Sequence, residues 1–534
     1  MSVIYNSTEA FLSPLPIDPA SRSVGLGAVI EASSAFLWTL TAIVGASLLA
    51  WFRKPWTDEN GHKIPKGPIG LPIFGSFYSL TRYPELTLDY WAKRFGDLYS
   101  IWLGNQLFVI VSDPNIAKDL MVTNGNVFSS RKECLSKAKP SLLVEHRRIA
   151  ATWLSQRVVD SYSPVLDRES LSLVKALLIE SKGGLAPVDP QPYAGRCSLN
   201  NMTTITFGFR ADSIHHPLVG RALKPSREFM NCTGPMSNLI DFVPILQYLP
   251  TPLHRRAKKL HKGLVETYGG FIKETEQKMM EGKTVQDCLA KTMVEVRYKE
   301  ELDDLDMAIL ASAFMIGGVE TTAAIMQWFS ALIPAYPEIQ KKAQEELDRV
   351  IGRDRLPAIE DEKNLPYCHA IIKEVERVHN PFWLGTPHVA SEDFVYQGKF
   401  IPKDTVVVLN TWTMHYDPAR HSSPKKFDCQ CCRSDEARPL DVWSWISNSL
   451  SATKQKARLT SFSRRVCPGM IVAEREIWLT ISRMLWAFDM YEIPGEPIDL
   501  KEYDGLSGRS PVPFRIGLKP RHDNVAKLLE KVEI

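Results

Sequence analysis

Apolar positions are distributed so unevenly along the chain that they separate it into segments of different kinds. From Ala32 to Phe52 the run "ASSAFLWTLTAIVGASLLAWF" holds no charged residue, and about 20 such residues cross a bilayer core as a helix. Arg53 and Lys54 follow at once, whereas Arg22 is the one basic residue before the run. Positive charge on that flank predicts the bulk of the chain on the cytoplasmic side and the 1–31 tail across the membrane. A cleaved signal peptide fits less well, because its apolar stretch is normally shorter and nearer the start. Asn6-Ser7-Thr8 would then be a lumenal glycosylation acceptor. Over 53–76, "KIPKGPIGLPIFG" spaces Pro65, Pro68 and Pro72 among glycines, a stiff connector that resists helix and sheet alike.

The remainder, 77–534, shows no Gly/Ser linker or internal repeat and reads as one large unit. "DDLDMAILASAFMIGGVETTAAIMQWFSALI", Asp303 to Ile333, predicts one long apolar helix whose acidic start suits the helix dipole. "AIIKEVERVHNP" predicts a second helix ending near Pro381, and "FVYQGKFIPKDTVVVLNTWTM" alternates as strands and a hairpin do. After Pro468, apolar residues at Ile471, Trp478, Ile481, Leu485 and Phe488 recur at helical spacing, with the proline placed for the first helical turn.

Composition narrows the class. A hydrophobic content of 44% with 23% charged residues is ordinary for a globular protein. The formal net charge of +3 and the lack of a basic stripe argue against a nucleic-acid partner. Nine cysteines without a framework of regular spacings argue for a reducing compartment.

Three clusters carry candidate chemistry. Cys467, in "SFSRRVCPGM", stands at a helix start behind Arg464 and Arg465, where the dipole and the guanidinium charges favour thiolate over thiol. A thiolate is a nucleophile or a metal ligand, and no Cys-His pattern surrounds this one, so a ligand fits better. In the long helix, Gly317 and Gly318 precede Glu320, Thr321 and Thr322; each mid-helix glycine costs about 1 kcal/mol relative to alanine. They admit a ligand or pack against a neighbouring helix, while the hydroxyl and carboxyl relay protons or, for threonine, bond back to the preceding turn. Glu374 and Arg377 lie three apart on one helical face.

Taken in order, these features resemble the cytochrome P-450 family of haem-thiolate monooxygenases, in its membrane-anchored microsomal form and most like fungal members. "GGVETT" resembles the oxygen-binding helix motif, "EVER" the Glu-x-x-Arg motif, and "RRVCPG" the haem loop, with "AYPEIQKKAQEELDRVIG", "LGTPH" and "NTWTMHYDP" also family-like. The resemblance implies iron protoporphyrin bound by Cys467, with Gly469 beside it. Glu320 and Thr321 match the acid-alcohol pair that delivers protons, with Gly317 and Gly318 making room. Arg465, His388 and Arg147 match partners of the haem propionates. Glu374 and Arg377 match a structural pair, and Phe382, Trp383 and Leu384 match a segment lining the substrate pocket.

Two stretches depart from that pattern. The run 131–146 is shorter than the family's, with Leu143 where a tryptophan is expected. Over 429–459 the chain has "CQCC" in place of Pro-Glu-Arg-Phe, so that Cys431 replaces an arginine that normally joins Glu374 and Arg377; Thr460 and Ser463 replace a phenylalanine and a glycine. A retained intron or a shifted frame accounts for the abrupt return at "RRVCPG". Zinc at the three clustered cysteines would need a fourth ligand at a typical spacing, for which His421 is the only local candidate, so it fits less well. As written, Glu374 is expected to lack its third partner, and haem occupancy to suffer.

The expectation is therefore a mainly α fold with a small β portion, preceded by one transmembrane helix, in the endoplasmic reticulum membrane. Its implied activity is insertion of one oxygen atom from O2 into an apolar, flat or aromatic small molecule in fungal secondary metabolism or aromatic breakdown. Implied partners are NADPH-cytochrome P-450 reductase, with cytochrome b5 as an optional second donor, and membrane lipid. The alternatives are a reductase-independent isomerase or dehydratase and a tethered non-catalytic member of the fold.

Overall fold

The computed structural model describes residues 38–39, 41–42, 45–46, 57–72, 74–131, 148–232, 251–429, 467–505 and 508–531. Most of 32–52, the shortened run after Arg131 with Arg147, and the atypical run from residue 430 with Cys431 and Arg465 lie outside the described residues. The chain divides into two units, residues 1–56 with 71–73, and a body of 57–70 with 74–534. In the first unit the described residues between 38 and 46 are helical.

The body is built on helices α1 (Pro84–Phe95), α2 (Ser163–Glu180), α3 (Gln191–Phe207), α4 (Pro217–Cys232), α5 (Pro252–Met280), α6 (Asp304–Leu332), α7 (Pro337–Val350), α8 (Pro366–Val378) and α9 (Met470–Ala487). Helix α6 is central and packs against α3, α4, α5, α8 and α9. It begins with a reciprocal cap: Asp303 accepts from the Asp306 amide at 2.7 Å, and the Asp306 carboxylate accepts from the Asp303 amide at 3.2 Å. By length and composition α6 could cross a membrane, yet most of it is buried inside the protein, so it is a core helix.

A four-stranded sheet lies in the order β1 (Leu98–Leu103), β2 (Gln106–Val111), β6 (Val406–Leu409), β3 (His388–Val389). β1 and β2 form an antiparallel hairpin, β2 runs parallel to β6 with Phe108 opposite Val406, and β3 pairs antiparallel with His388 opposite Val407. Both faces are covered, which is why these strands read as unbroken apolar runs. Ile101, Phe108, Ile110 and Val408 pack toward Leu88 and Trp91 of α1, while Val109, Val111, Val407 and Leu409 pack toward Leu120 and Phe128. Strands β4 (Phe394–Tyr396) and β5 (Lys399–Ile401) form the anticipated hairpin. Its two central residues, Gln397 and Gly398, both have positive φ, 50° and 71°, as a two-residue turn matched to strand twist requires. Two small pairs complete the body: β7 (Phe488–Glu492) with β10 (Ile516–Pro520), and β8 (Tyr503–Asp504) with β9 (Ser510–Pro511).

Helix α9 buries Trp478 and Trp486, whose indole N–H groups donate to the carbonyls of Ala358 at 3.0 Å and Gly352 at 2.8 Å. It ends at Ala487, so Phe488, expected on the helix, opens β7 instead. On another side α9 carries Glu476, fully buried and accepting from the Ser198 hydroxyl of α3 at 2.6 Å. Burial pushes its carboxyl up from the usual 4.5 to about 7; hydrogen bonds from Ser198 and Asn201 oppose that, and the Glu169 charge adds to it. The neutral form is the one the fold accommodates. Its stabilising contribution is therefore complete below about pH 4.5 and lost as pH rises through about 7. At 1.36 kcal/mol per unit this is about 3 kcal/mol. Glu476→Gln should flatten that part of the stability profile, measured by denaturant unfolding at about pH 5 and about pH 8; an unchanged slope would assign the pH response to other groups.

Candidate active site

Between Leu310 and Leu332 of α6 every residue is buried except Ala313, Gly317, Gly318 and Thr321. Ala313, Gly317 and Thr321 are four apart and share one face. A narrow strip of small residues is thus left uncovered in the middle of a helix that is otherwise core. The structure separates the two glycines. A Cβ added at Gly317 meets nothing within 4 Å, whereas one at Gly318 would lie 2.4 Å from Met202 Sδ of α3. Gly317 therefore opens onto the strip, and Gly318 realises the helix-packing alternative: it exists to let α3 approach.

The hydroxyls follow the same division. Thr321 Oγ1 donates to the Gly317 carbonyl at 2.8 Å and Thr322 Oγ1 to the Gly318 carbonyl at 3.0 Å, each bonding back one turn. Thr321 stays at the edge of the open strip, while Thr322 is buried.

Glu320 points away from the strip into a charged pocket that sequence reasoning missed. It is buried, with Arg227 Nε of α4 at 3.3 Å, and Arg227 Nη1 lies 3.6 Å from Asp504 of β8. Burial raises the Glu320 pKa, Arg227 pulls it down and Asp504 pushes it up. The same carboxylate helps push up the phenol of buried Tyr268 on α5, whose shift is mainly burial. Arg227 has no local signature in "PSREFM". Its partners come from distant parts of the chain and meet only through the fold.

Cys467 is the exposed member of the six described cysteines; Cys197, Cys232, Cys288, Cys368 and Cys429 are buried. The helix behind it begins two residues later than expected. Gly469 is the N-cap, not Pro468 the first helical residue, and the Met470 amide closes a turn onto the Cys467 carbonyl at 3.4 Å. Nothing lies within 4 Å of a Cβ built on Gly469.

Glu374 and Arg377 of α8 form a buried two-pronged pair, with both N–H···O distances 2.7 Å. Arg377 also donates to the carbonyls of His415 at 3.0 Å, Pro424 at 2.8 Å and Lys426 at 3.1 Å, and the Asp428 amide donates to Glu374 at 2.9 Å. The expectation that Glu374 lacks a third partner is corrected here, because backbone groups of 415–428 satisfy both charges. On β3, His388 Nδ1 lies 2.7 Å from the Phe128 carbonyl. With Nδ1 donating there, Nε2 can donate to an anion only as the imidazolium. Of the three residues matched to a substrate pocket, Trp383 and Leu384 are core: Trp383 packs edge-on against Trp412 at 4.8 Å, and Leu384 joins the sheet cluster with Val389 and Val408. Phe382 alone is half-buried.

A family model for cytochrome P450 matches residues 65–517. The chain belongs to the cytochrome P450 family. Among curated proteins it is 32% identical to cytochrome P450 monooxygenase polD of Polytolypa hystricis, across 89% of this chain and 93% of that protein. Cytochrome P450 monooxygenase verL of Clonostachys rogersoniana is 30% identical across 91% and 93%, and cytochrome P450 monooxygenase virE of Hypocrea virens 29% across 94% and 90%. This P450 is accordingly a monooxygenase, and the family implies a haem-thiolate cofactor. The residues present fit that group: Cys467 offers an exposed sulfur, and the bare strip Ala313–Gly317–Thr321 offers the side-chain-poor surface that a planar macrocycle needs.

The two glycines of this P450 should behave differently on substitution. Gly317→Ala places its methyl in open space and should gain up to about 1 kcal/mol from helix propensity; Gly318→Ala should forfeit that gain because Met202 must move. Double-mutant cycles with Met202→Ala, read by denaturant unfolding, should show coupling for Gly318 and additivity for Gly317. Equal coupling at both positions would refute the division.

Proposed function

We propose that this P450 inserts one atom of dioxygen into an apolar small molecule of fungal secondary metabolism or aromatic breakdown. Electrons come from NADPH through a membrane reductase, with cytochrome b5 as an optional second donor. The apolar run 32–52 and the Arg53–Lys54 flank support anchoring in the endoplasmic reticulum membrane with the body in the cytoplasm.

One observation carries the reading: a hydroxyl at the edge of the open strip, Thr321, next in sequence to a buried carboxyl whose pKa is raised, Glu320. Bound haem, held through Cys467, supplies the centre at which dioxygen binds and is activated. His388, donating from Nε2 as imidazolium, would hold a propionate, the role that the family pattern also assigns to Arg147 and Arg465. Gly317, with nothing within 4 Å of an added Cβ, would leave room for the bound group and dioxygen. Thr321 Oγ1 is anchored on the Gly317 carbonyl, so it is positioned to pass a proton into the strip and be resupplied. Glu320 retains its proton to higher pH than an ordinary glutamate, and Arg227 holds its carboxyl in reserve. Retention of this pair favours oxygenation over the isomerase or dehydratase alternative, which needs no proton delivery. The satisfied Glu374–Arg377 pair favours a working site over a non-catalytic one. Of the aromatic-substrate argument only Phe382 remains, so apolar is the substrate class the residues support.

Thr321→Ala should leave the haem spectrum intact and lower product per NADPH by roughly 10²-fold, with peroxide rising in compensation. The measurement is coupled NADPH oxidation, peroxide release and product formation with purified reductase and a substrate chosen by its shift of the haem spectrum. Unchanged product per NADPH would remove Thr321 from proton delivery.

A further inference from the structure

Trp328, His379 and Tyr503 form a buried aromatic stack that none of these roles uses. The Trp328 indole and the His379 imidazole lie face to face, 3.6 Å between centroids and 1° between planes. The Tyr503 ring stands edge-on to both, at 5.4 Å and 5.9 Å, and its hydroxyl is 3.4 Å from His379 Nδ1. Burial, with the Arg377 charge beside it, holds His379 down at about 3. The ring is therefore neutral, and in the tautomer that carries its proton on Nε2, the one the Tyr503 hydroxyl at 3.4 Å selects by donating, Nδ1 is the acceptor.

A second phenol continues outward. The Tyr83 ring is 5.9 Å from that of Tyr503, and its hydroxyl donates at 2.7 Å to Glu502, a carboxylate 42% exposed. The Arg509 guanidinium lies 5.0 Å from the Tyr83 ring and 5.4 Å from the Tyr503 ring, a charge that alone would oppose removal of electrons from either. Glu85, buried and 3.1 Å from Arg509 Nη2, neutralises it. Each phenol in the series thus has its own base. At the inner end, Trp328 sits two turns beyond Thr321 on the same helix, about 10 Å along the axis.

We propose that Trp328, Tyr503 and Tyr83 are an electron relay that discharges the haem centre when oxidising equivalents form with no substrate to receive them, with His379 and Glu502 as proton acceptors. This rests on the haem-dependent activity proposed above. In the first step the Trp328 indole would give up one electron to the oxidised cofactor, leaving an indole radical cation. Tyr503 refills that hole as its O–H bond breaks and the proton passes to His379 Nδ1, leaving a neutral tyrosyl radical and an imidazolium. Tyr83 then gives one electron to Tyr503, which recovers its proton from His379, while the Tyr83 proton passes to Glu502. A one-electron donor in solution, such as ascorbate, reduces the Tyr83 radical as Glu502 returns the proton. Each pass moves one electron inward.

The test is freeze-quench electron paramagnetic resonance on the haem-loaded, substrate-free protein mixed with a peroxycarboxylic acid, after its reduced carbon monoxide spectrum has been recorded. The natural chain should give a tyrosyl radical whose line shape changes when its tyrosines are ring-deuterated. Tyr83→Phe should prolong that signal by trapping it on Tyr503. Tyr503→Phe, which keeps the ring and loses only the hydroxyl, should abolish it and leave a tryptophanyl signal. A tyrosyl signal of undiminished yield in Tyr503→Phe, or no protein radical in a natural chain with a normal thiolate spectrum, overturns the relay and leaves the haem reading standing. A protein lacking the thiolate spectrum overturns both.

Discussion

A helix that is apolar on every side has no place at a protein surface, and α6 is such a helix. Neighbours α3, α4, α5, α8 and α9 cover it almost completely. Burial of that many side chains, each worth about 1.5–3 kcal/mol when large and apolar, makes α6 the element around which the others must fit. Its few uncovered positions then acquire meaning. Ala313, Gly317 and Thr321 leave a strip where the core could have closed with larger side chains and did not. The site is a deliberate gap in an otherwise continuous core, and Gly318, one residue away, shows what closing looks like: Met202 fills the space.

Charges buried around this core constrain the chain rather than simply add stability. Glu374–Arg377 ties α8 to carbonyls at 415, 424 and 426 and to the Asp428 amide, in the stretch that precedes the run leading to Cys467, and Glu85–Arg509 ties α1 to the strand pair carrying Tyr503. Removing one partner of such a pair typically costs about 3–5 kcal/mol, whereas the intact pair adds little net energy. Their effect is positional. Glu320–Arg227 is different in kind, because its carboxyl keeps a raised pKa even with a guanidinium 3.3 Å away. A carboxyl that holds its proton more tightly than usual suits proton supply better than one clasped in a two-pronged structural pair.

What was legible in the sequence was local. The long apolar run of α6 with its acidic start, the three-residue spacing of Glu374 and Arg377 and the helix behind Cys467 all depend on near neighbours, and periodicity reports near neighbours well. The hairpin after Asp393 was readable because Gln397-Gly398 supplies its own turn geometry. Gly317 and Gly318 could not be told apart, since both readings of a mid-helix glycine leave the same letter in the chain. Trp383 and Leu384 failed for a related reason: an aromatic-apolar run looks alike whether it lines a pocket or packs under a sheet. Arg227 and the Trp328–His379–Tyr503 stack were invisible because their partners lie far apart in sequence. The missing arginine at Cys431 was overweighted for the opposite reason, as backbone groups that no motif records satisfy Glu374.

The account stands on one sulfur. Replacement of Cys467 by serine removes the donor while leaving the turn onto Met470 and the Gly469 cap unchanged. The direct measurement is the difference spectrum of the reduced carbon monoxide complex of Cys467→Ser beside that of the natural chain, at matched protein concentration. The natural chain should show the thiolate-type band and Cys467→Ser should lose it, because a neutral hydroxyl cannot replace a thiolate on iron. An unchanged thiolate-type band in Cys467→Ser would contradict the assignment of the cofactor site.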